Sequence, residues 1–236
     1  MVGVRHGATL APTTDTPAHD DRPRLADVDD EVVVRTRADG ATELRVNGVF
    51  VMDDVETSSE RLLADHALDL GARDVLVGGL GLGFTARALL EAEDGRRVER
   101  LVVAELHDGV IRAVRGGAGA GPEVLDDPRC TVVVGDVLDV VAAQPAASLD
   151  AVLLDVDNGP DFLVHDANAA VYDSTGVRAC ARALRPGGTL AVWSMADSEP
   201  LRERLAEVLD DVRAVAVPVD LQGRAEHYWV LTGHAR

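Results

Sequence analysis

Lysine is absent. All 23 basic residues of the 236 are arginine, against 41 acidic ones, for a formal net charge of −18. A chain this acidic is repelled by phosphate backbones and anionic bilayers, which argues against nonspecific nucleic-acid or membrane binding. The charge suits a cationic substrate or partner, and equally a plain solvated acidic surface. Cysteine is scarce: Cys130 and Cys180 stand in apolar surroundings without metal-ligand spacing. They read as small core residues of a reducing compartment, with no metal site. Aromatics make up only 3% of the chain, little material for a stacking cage. No apolar run is long enough to span a bilayer, and no basic-then-apolar leader opens the chain. The expectation is a cytoplasmic protein.

What is present suits one large α/β domain with an appendage: 47% of residues are hydrophobic, enough for a substantial core. Residues 1–27, rich in Pro, Thr, Asp and His without periodicity, read as a disordered tail. Residues 28–56 read as a small antiparallel β-meander, with strand-like runs around the turn Ala38-Asp39-Gly40 and the hairpin turn Asn47-Gly48. The main domain is 57–236. Thr57-Ser58-Ser59-Glu60 matches a capping box, opening a helix that runs to Leu70 and stops at Gly71. His66 on that helix reads as packing.

From Asp74 onward strands and helices alternate, the pattern of a parallel sheet. Strands are expected at 74–78, 100–105, 131–135, 150–155 and 189–194. Helices are expected near 84–93, 108–115, 137–143, 172–184 and 198–210. Two closing strands, 213–220 and 226–232, are joined by Gln222-Gly223. That turn is too short for a crossover, so they must pair antiparallel.

The organising stretch is the first of these strands with its turn, Asp74 to Arg87. Gly78, Gly79, Gly81 and Gly83 fall within six residues between an apolar strand and a helix. Glycine allows the tight turn and lets a ligand approach the backbone. Ligands of open α/β sheets bind beyond the carboxyl ends of the strands. The later strands end in Glu105-Leu106, in Gly135-Asp136-Val137, and in Asp155-Val156-Asp157-Asn158. Glu105 could accept both hydroxyls of a ribose, and Asp136 could meet an adenine amino group. Any one such acid also serves as a turn former or helix cap. Four strand ends on one sheet edge favour a site. Asp155 ends its apolar run directly and is taken, ahead of Asp157, to face the ligand.

In this order the features resemble the class I S-adenosylmethionine-dependent transferases, and more closely the spermidine synthase group, over roughly residues 31–232. Val46-Asn47-Gly48, the acidic loop after the fourth strand, and Tyr172…Leu184-Arg185-Pro186-Gly187-Gly188 carry the closer likeness. The resemblance implies a Rossmann-like class I methyltransferase fold. Its sheet would be mostly parallel and seven-stranded, with an antiparallel C-terminal strand pair, preceded by the small β-meander. It implies that Gly78, Gly79, Gly81 and Gly83 hold the amino-acid or aminopropyl end of the donor. Glu105 with Leu106 would bind its ribose, and Asp136 with Val137 its adenine. Asp155 would orient the attacking amine or accept its proton. Within this reading Asp157, Asn158, His165 and Tyr172 are taken to face the acceptor, the segment 157–171 is the candidate lid, and His165 is a second candidate base. The implied donor is S-adenosylmethionine or its decarboxylated form, the acceptor a small molecule such as a cationic amine, and the assembly a homodimer.

The chain departs from the group at several points. Leu80-Gly81-Leu82 lacks the aspartate that grips an aminopropyl amine. Val51 or Met52 stands where a glutamine is usual, no tyrosine occurs near Ser59-Glu60, and Asn158-Gly159 precedes Pro160 where an aspartate is expected. Each loss removes a polar contact to a buried cation. Methyl transfer from S-adenosylmethionine is therefore placed ahead of aminopropyl transfer. Two further readings stand beside these. A nicotinamide dehydrogenase would use Gly81-Leu82-Gly83-Phe84-Thr85-Ala86 with Glu105, but lacks a second domain and would not end in an antiparallel pair. A non-catalytic binder of an adenosyl ligand or of a partner protein has retained Glu105 and Asp136 to explain. Trp193, Tyr172, His227, Tyr228 and Trp229 could line a pocket, though aromatics near strand ends are more often core.

Overall fold

The structure, a computed structural model, describes residues 31–92, 97–156, 159–161, 163, 166–221 and 224–236. The tail 1–27, the start of the meander segment, Asp157, Asn158, His165 and the turn Gln222-Gly223 lie outside the described residues.

The meander is a separate three-stranded sheet of β1 (Val32–Thr36), β2 (Thr42–Val46) and β3 (Val49–Asp53), paired antiparallel. Asn47 and Gly48 both take positive φ, 51° and 77°, the conformation that two-residue hairpins require and that Asn-Gly supplies cheaply. Leu44 and Val46 of β2 are buried against the main domain.

Helix α1 (Ser58–Asp69) follows, then β4 (Asp74–Gly78), α2 (Phe84–Leu90), β5 (Arg100–Glu105), α3 (Asp108–Arg115) and α4 (Pro122–Asp126). The second half holds β6 (Cys130–Val134), α5 (Val137–Ala143), β7 (Leu149–Leu154), a 3-10 turn (Asp166–Val171), α6 (Ser174–Ala183), β8 (Leu184–Ser194), α7 (Glu199–Val208), β9 (Leu209–Leu221) and β10 (Arg224–Ala235). The main sheet has the order β6-β5-β4-β7-β8-β10-β9. All its pairs are parallel except those of β10, which runs antiparallel to both β8 and β9. This is the Rossmann-like arrangement expected, with the antiparallel pair at one end.

Apolar strands buried on both faces carry two layers of core. The meander, α1, α2 and α3 contribute to one, and α5, α6 and α7 to the other. After β4 the chain turns toward β5 and β6, and after β7 it turns the other way. The crevice between the ends of β4 and β7 is therefore the switch point where such sheets bind ligands. Among the described residues, no helix is long and apolar enough to cross a membrane.

Local expectations needed correcting in places. The capping box is not made: Thr57 forms no side-chain cap hydrogen bond, and Glu60 turns elsewhere. Helix α4 was not expected, because Gly-rich sequence on its N-terminal side and a Pro at its first position mimic a loop. Strand β8 begins at Leu184 rather than 189, taking in Arg185-Pro186-Gly187-Gly188 with a register shift against β7 between Leu149 and Ala151.

Candidate active site

One cavity opens at the switch point. Its floor is the carboxyl edge of β4, β5, β6 and β7, and its roof is the meander, through Leu44, Val46, Val51 and Met52. The glycine turn is held at close quarters. Gly79 has φ +90°, and a Cβ there would stand 2.2 Å from the Asp155 carbonyl oxygen. Gly79 N–H donates to the Ala104 carbonyl at 2.8 Å, and Asp155 N–H to the Gly78 carbonyl at 2.8 Å. These bonds tie the turn to the strands on either side. Above it, Leu82 N–H points at the Met52 sulfur, 3.1 Å away, and a Cβ on Gly81 would meet that sulfur at 2.6 Å. The meander thus covers the turn directly.

Glu105 is buried. Its Oε2 accepts Leu80 N–H at 2.9 Å and its Oε1 accepts His107 N–H at 2.8 Å. Burial pushes its carboxyl up, and the backbone donors oppose this. A carboxylate has lone pairs beyond two such bonds, so Glu105 can shape the turn and still accept a ligand hydroxyl. Asp136 caps α5, accepting Leu138 N–H at 2.8 Å through Oδ1, and also lines the cavity. Asp155 has its Oδ2 held by the Thr85 hydroxyl at 3.0 Å. Burial pushes its carboxyl up to about 6, against that hydrogen bond.

Sequence reasoning missed the group that faces Asp155. Glu60, 9% exposed, lines the same cavity and accepts the Ser59 hydroxyl at 2.7 Å. Burial, and then the charge of Asp155, push its carboxyl up to about 7. Its place in an apparent capping box concealed it. His107, Asn168 and Trp193 also line the cavity. Trp193 stacks edge-on with Tyr228, ring centroids 4.9 Å apart. Its buried Nε1 has no hydrogen-bond partner among the described residues.

Of the residues picked from sequence, Gly79, Gly81, Glu105, Leu106, Asp136, Val137 and Asp155 meet in this cavity. Gly78 and Gly83 lie one step back: a Cβ on Gly78 would strike Val137, and one on Gly83 would press on Ala120. Tyr172 does not line the cavity. It is 2% exposed and its hydroxyl donates to the Val156 carbonyl, which makes it a prop for the segment after β7 rather than a surface for substrate. Among the described residues, no group of three or more His, Cys, Asp or Glu is placed to hold a metal ion. Among the described residues, the lining carries four carboxylates, from Glu60, Glu105, Asp136 and Asp155, and no arginine.

The residues fit an adenosyl sulfonium compound. Carboxylate acceptors stand at the ends of β5, β6 and β7 beside the glycine turn, at the switch point where such a ligand binds in open α/β sheets.

No protein-family model matches the chain. It is 36% identical over 168 residues to the polyamine aminopropyltransferase of Mycobacterium tuberculosis, a match covering 69% of this chain and 30% of that protein. The chain thus spans under a third of the mycobacterial relative. It is 30% identical over 118 residues to putrescine N-methyltransferase 4 of Nicotiana tabacum, covering 50% of this chain and 28% of that one. In fold it is similar to spermidine synthase from Thermotoga maritima, with a TM-score of 0.72 at 19% identity over 86% of this chain and 69% of the other. In sequence and in fold the chain is spermidine synthase-like.

Proposed function

We propose that this chain transfers an alkyl group from an adenosyl sulfonium donor to the nitrogen of a small amine. The observation that carries the proposal is the lining itself: among the described residues, four carboxylates and no arginine beside a glycine turn at the switch point. Buried carboxylates without cations are costly, and both the donor and the acceptor would bring positive charge.

The donor supplies a carbon made electrophilic by its sulfonium. Glu105 and Asp136 bind and orient its nucleoside, and the turn at Gly79 and Gly81, closed onto the Asp155 carbonyl and the Met52 sulfur, sets the edge along which its substituents lie. Asp155, fixed by Thr85, holds the acceptor nitrogen and takes its proton, leaving a lone pair to form the new N–C bond as the C–S bond breaks toward sulfur. A carboxyl pushed up to about 6 is matched to proton transfer near neutral pH. The meander roof keeps water from the reacting atoms.

The charge of the lining also bears on the donor. S-Adenosylmethionine would place its own carboxylate among these carboxylates, without an arginine to receive it. The decarboxylated donor brings no such group, so the cavity favours aminopropyl transfer over the methyl transfer placed first from sequence. Methyl transfer remains the second reading, supported by the likeness to putrescine N-methyltransferase.

Calorimetric titration with both donors, with methylthioadenosine and with NAD tests the proposal. Tighter binding of the decarboxylated donor, and an aminopropyl mass gain on putrescine, are expected. Preference for S-adenosylmethionine with a methyl mass gain would install the second reading. Binding of NAD alone, or of nothing, would overturn both.

A further inference from the structure

The described carboxylates in and under the sheets are mostly answered by arginine. Glu43 pairs with Arg35 and Arg45, Asp53 with Arg37, Asp127 with Arg129, and Asp74 and Asp150 with Arg185. Glu60 and Asp155 are different. Each meets a hydroxyl, Ser59 for one and Thr85 for the other, and among the described residues neither meets an arginine. Glu105 and Asp136 spend oxygens on backbone N–H groups of the turn and of α5. Glu60 comes from a different element, α1, and reaches the cavity beside the meander residue Met52. The aromatic corner of Trp193 and Tyr228 adjoins it: Tyr228 feels the charges of Glu60, Glu56 and Asp53. That corner also carries the buried Trp193 Nε1, which has no partner among the described residues. A carboxyl 9% exposed and meeting no arginine among the described residues is poised for a ligand that brings a cation.

We infer that Glu60 is the acceptor-positioning residue of this cavity, holding an ammonium of the amine while Asp155 serves the attacking nitrogen. The inference rests on the proposed amine-acceptor reading and assigns within it a residue that reads from sequence only as part of a helix cap. Glu60 recognises charge and Trp193 bounds the space beside it. An amine with an ammonium at each end can meet both carboxylates at once, and a neutral isostere such as butanediol can meet neither with comparable strength.

The test is calorimetric titration of the full chain with putrescine above neutral pH, in the presence of methylthioadenosine. Wild type, Glu60→Gln and Glu60→Asp are compared, with butanediol as the uncharged control. The expected result is putrescine binding weakened about tenfold or more in Glu60→Gln, as for the loss of one charge-assisted hydrogen bond. Glu60→Asp should fall in between, methylthioadenosine affinity should be retained, and butanediol should not bind. Should Glu60→Gln fail to fold, the intermediate loss in Glu60→Asp carries the test. Equal putrescine affinity in the variants and wild type, or none in wild type, would overturn the inference. Glu60-dependent putrescine binding without any methylthioadenosine binding would instead overturn the adenosyl-donor reading and leave Glu60 in place.

Discussion

Glu60 and Asp155 share one cavity, and among the described residues neither meets an arginine, which has a measurable consequence for stability. Glu60 is pushed up to about 7 in the fold, whereas an unfolded glutamate titrates near about 4.3. Between those values the native chain binds more protons than the unfolded one, so stability falls as pH rises through that window and stays reduced above it. The acidic surface adds a trend of the same sign, so the variant isolates the residue. Glu60→Gln should come closest to wild type at about pH 4 and below, and exceed it by about 1–3 kcal/mol near about pH 8, read as a gain in thermal midpoint. Putrescine should narrow that gap, because it stabilises only the form with the charge intact. Parallel curves for the two proteins would mean that Glu60 titrates as it does in water. For Asp155, replacement by Asn removes the proton acceptor but keeps the shape that receives the Thr85 hydroxyl. Transfer should fall about a hundredfold or more, with donor affinity retained. A variant that loses donor binding equally would show Asp155 to be a donor-binding group instead.

At the scale of elements, the glycine turn and the strand bases do separate jobs. Gly79→Ala sets a methyl group 2.2 Å from the Asp155 carbonyl oxygen at φ +90°, so the β4 and β7 ends must move apart. Destabilisation of about 3 kcal/mol or more and loss of donor binding are expected in urea melts and titrations. At the opposite edge, Asp150 Oδ2 accepts Arg73 N–H and Asp74 N–H, both at 2.9 Å, and its Oδ1 meets Arg185. Arg185 also reaches Asp74, which in turn holds Arg100. This clasp joins the bases of β4, β5, β7 and β8, far from the cavity. Asp150→Ala should cost about 1–3 kcal/mol while leaving ligand affinity unchanged. The contrast explains what was legible in the sequence. Strand ends were, because an apolar run stopping at an acid or a glycine is a local pattern, and Gly79, Glu105, Asp136 and Asp155 all follow from it. Glu60 was not, because Thr57-Ser58-Ser59-Glu60 has the local form of a cap and only the packing of α1 against the sheet turns the carboxylate inward. Trp193, one of the aromatics that could line a pocket, does so, whereas His107 and Asn168 carry no local signal and are brought to the cavity by the fold. Tyr172 misled for the same reason, since a motif position does not reveal which way a ring faces.

For the whole molecule the charge distribution would act on both proposed substrates before they touch the site. The chain carries −18, and among the described residues its cavity is lined by four carboxylates and no arginine. Such a field draws cations inward and raises their local concentration, an effect that salt screens. The Debye length shortens from about 10 Å at 0.1 M to about 3 Å at 1 M. Capture of a distant cation should therefore weaken with salt, while contacts already formed in the buried cavity are screened far less. The expected outcome is a several-fold fall in kcat/KM for putrescine between low salt and about 1 M sodium chloride, with kcat at saturation little changed. Methylthioadenosine, which is neutral, should keep its affinity throughout. That comparison separates steering from general damage by salt, which would weaken both. A putrescine kcat/KM indifferent to salt would mean that the acidic surface is merely solvated and that recognition resides wholly in Glu60 and Asp155.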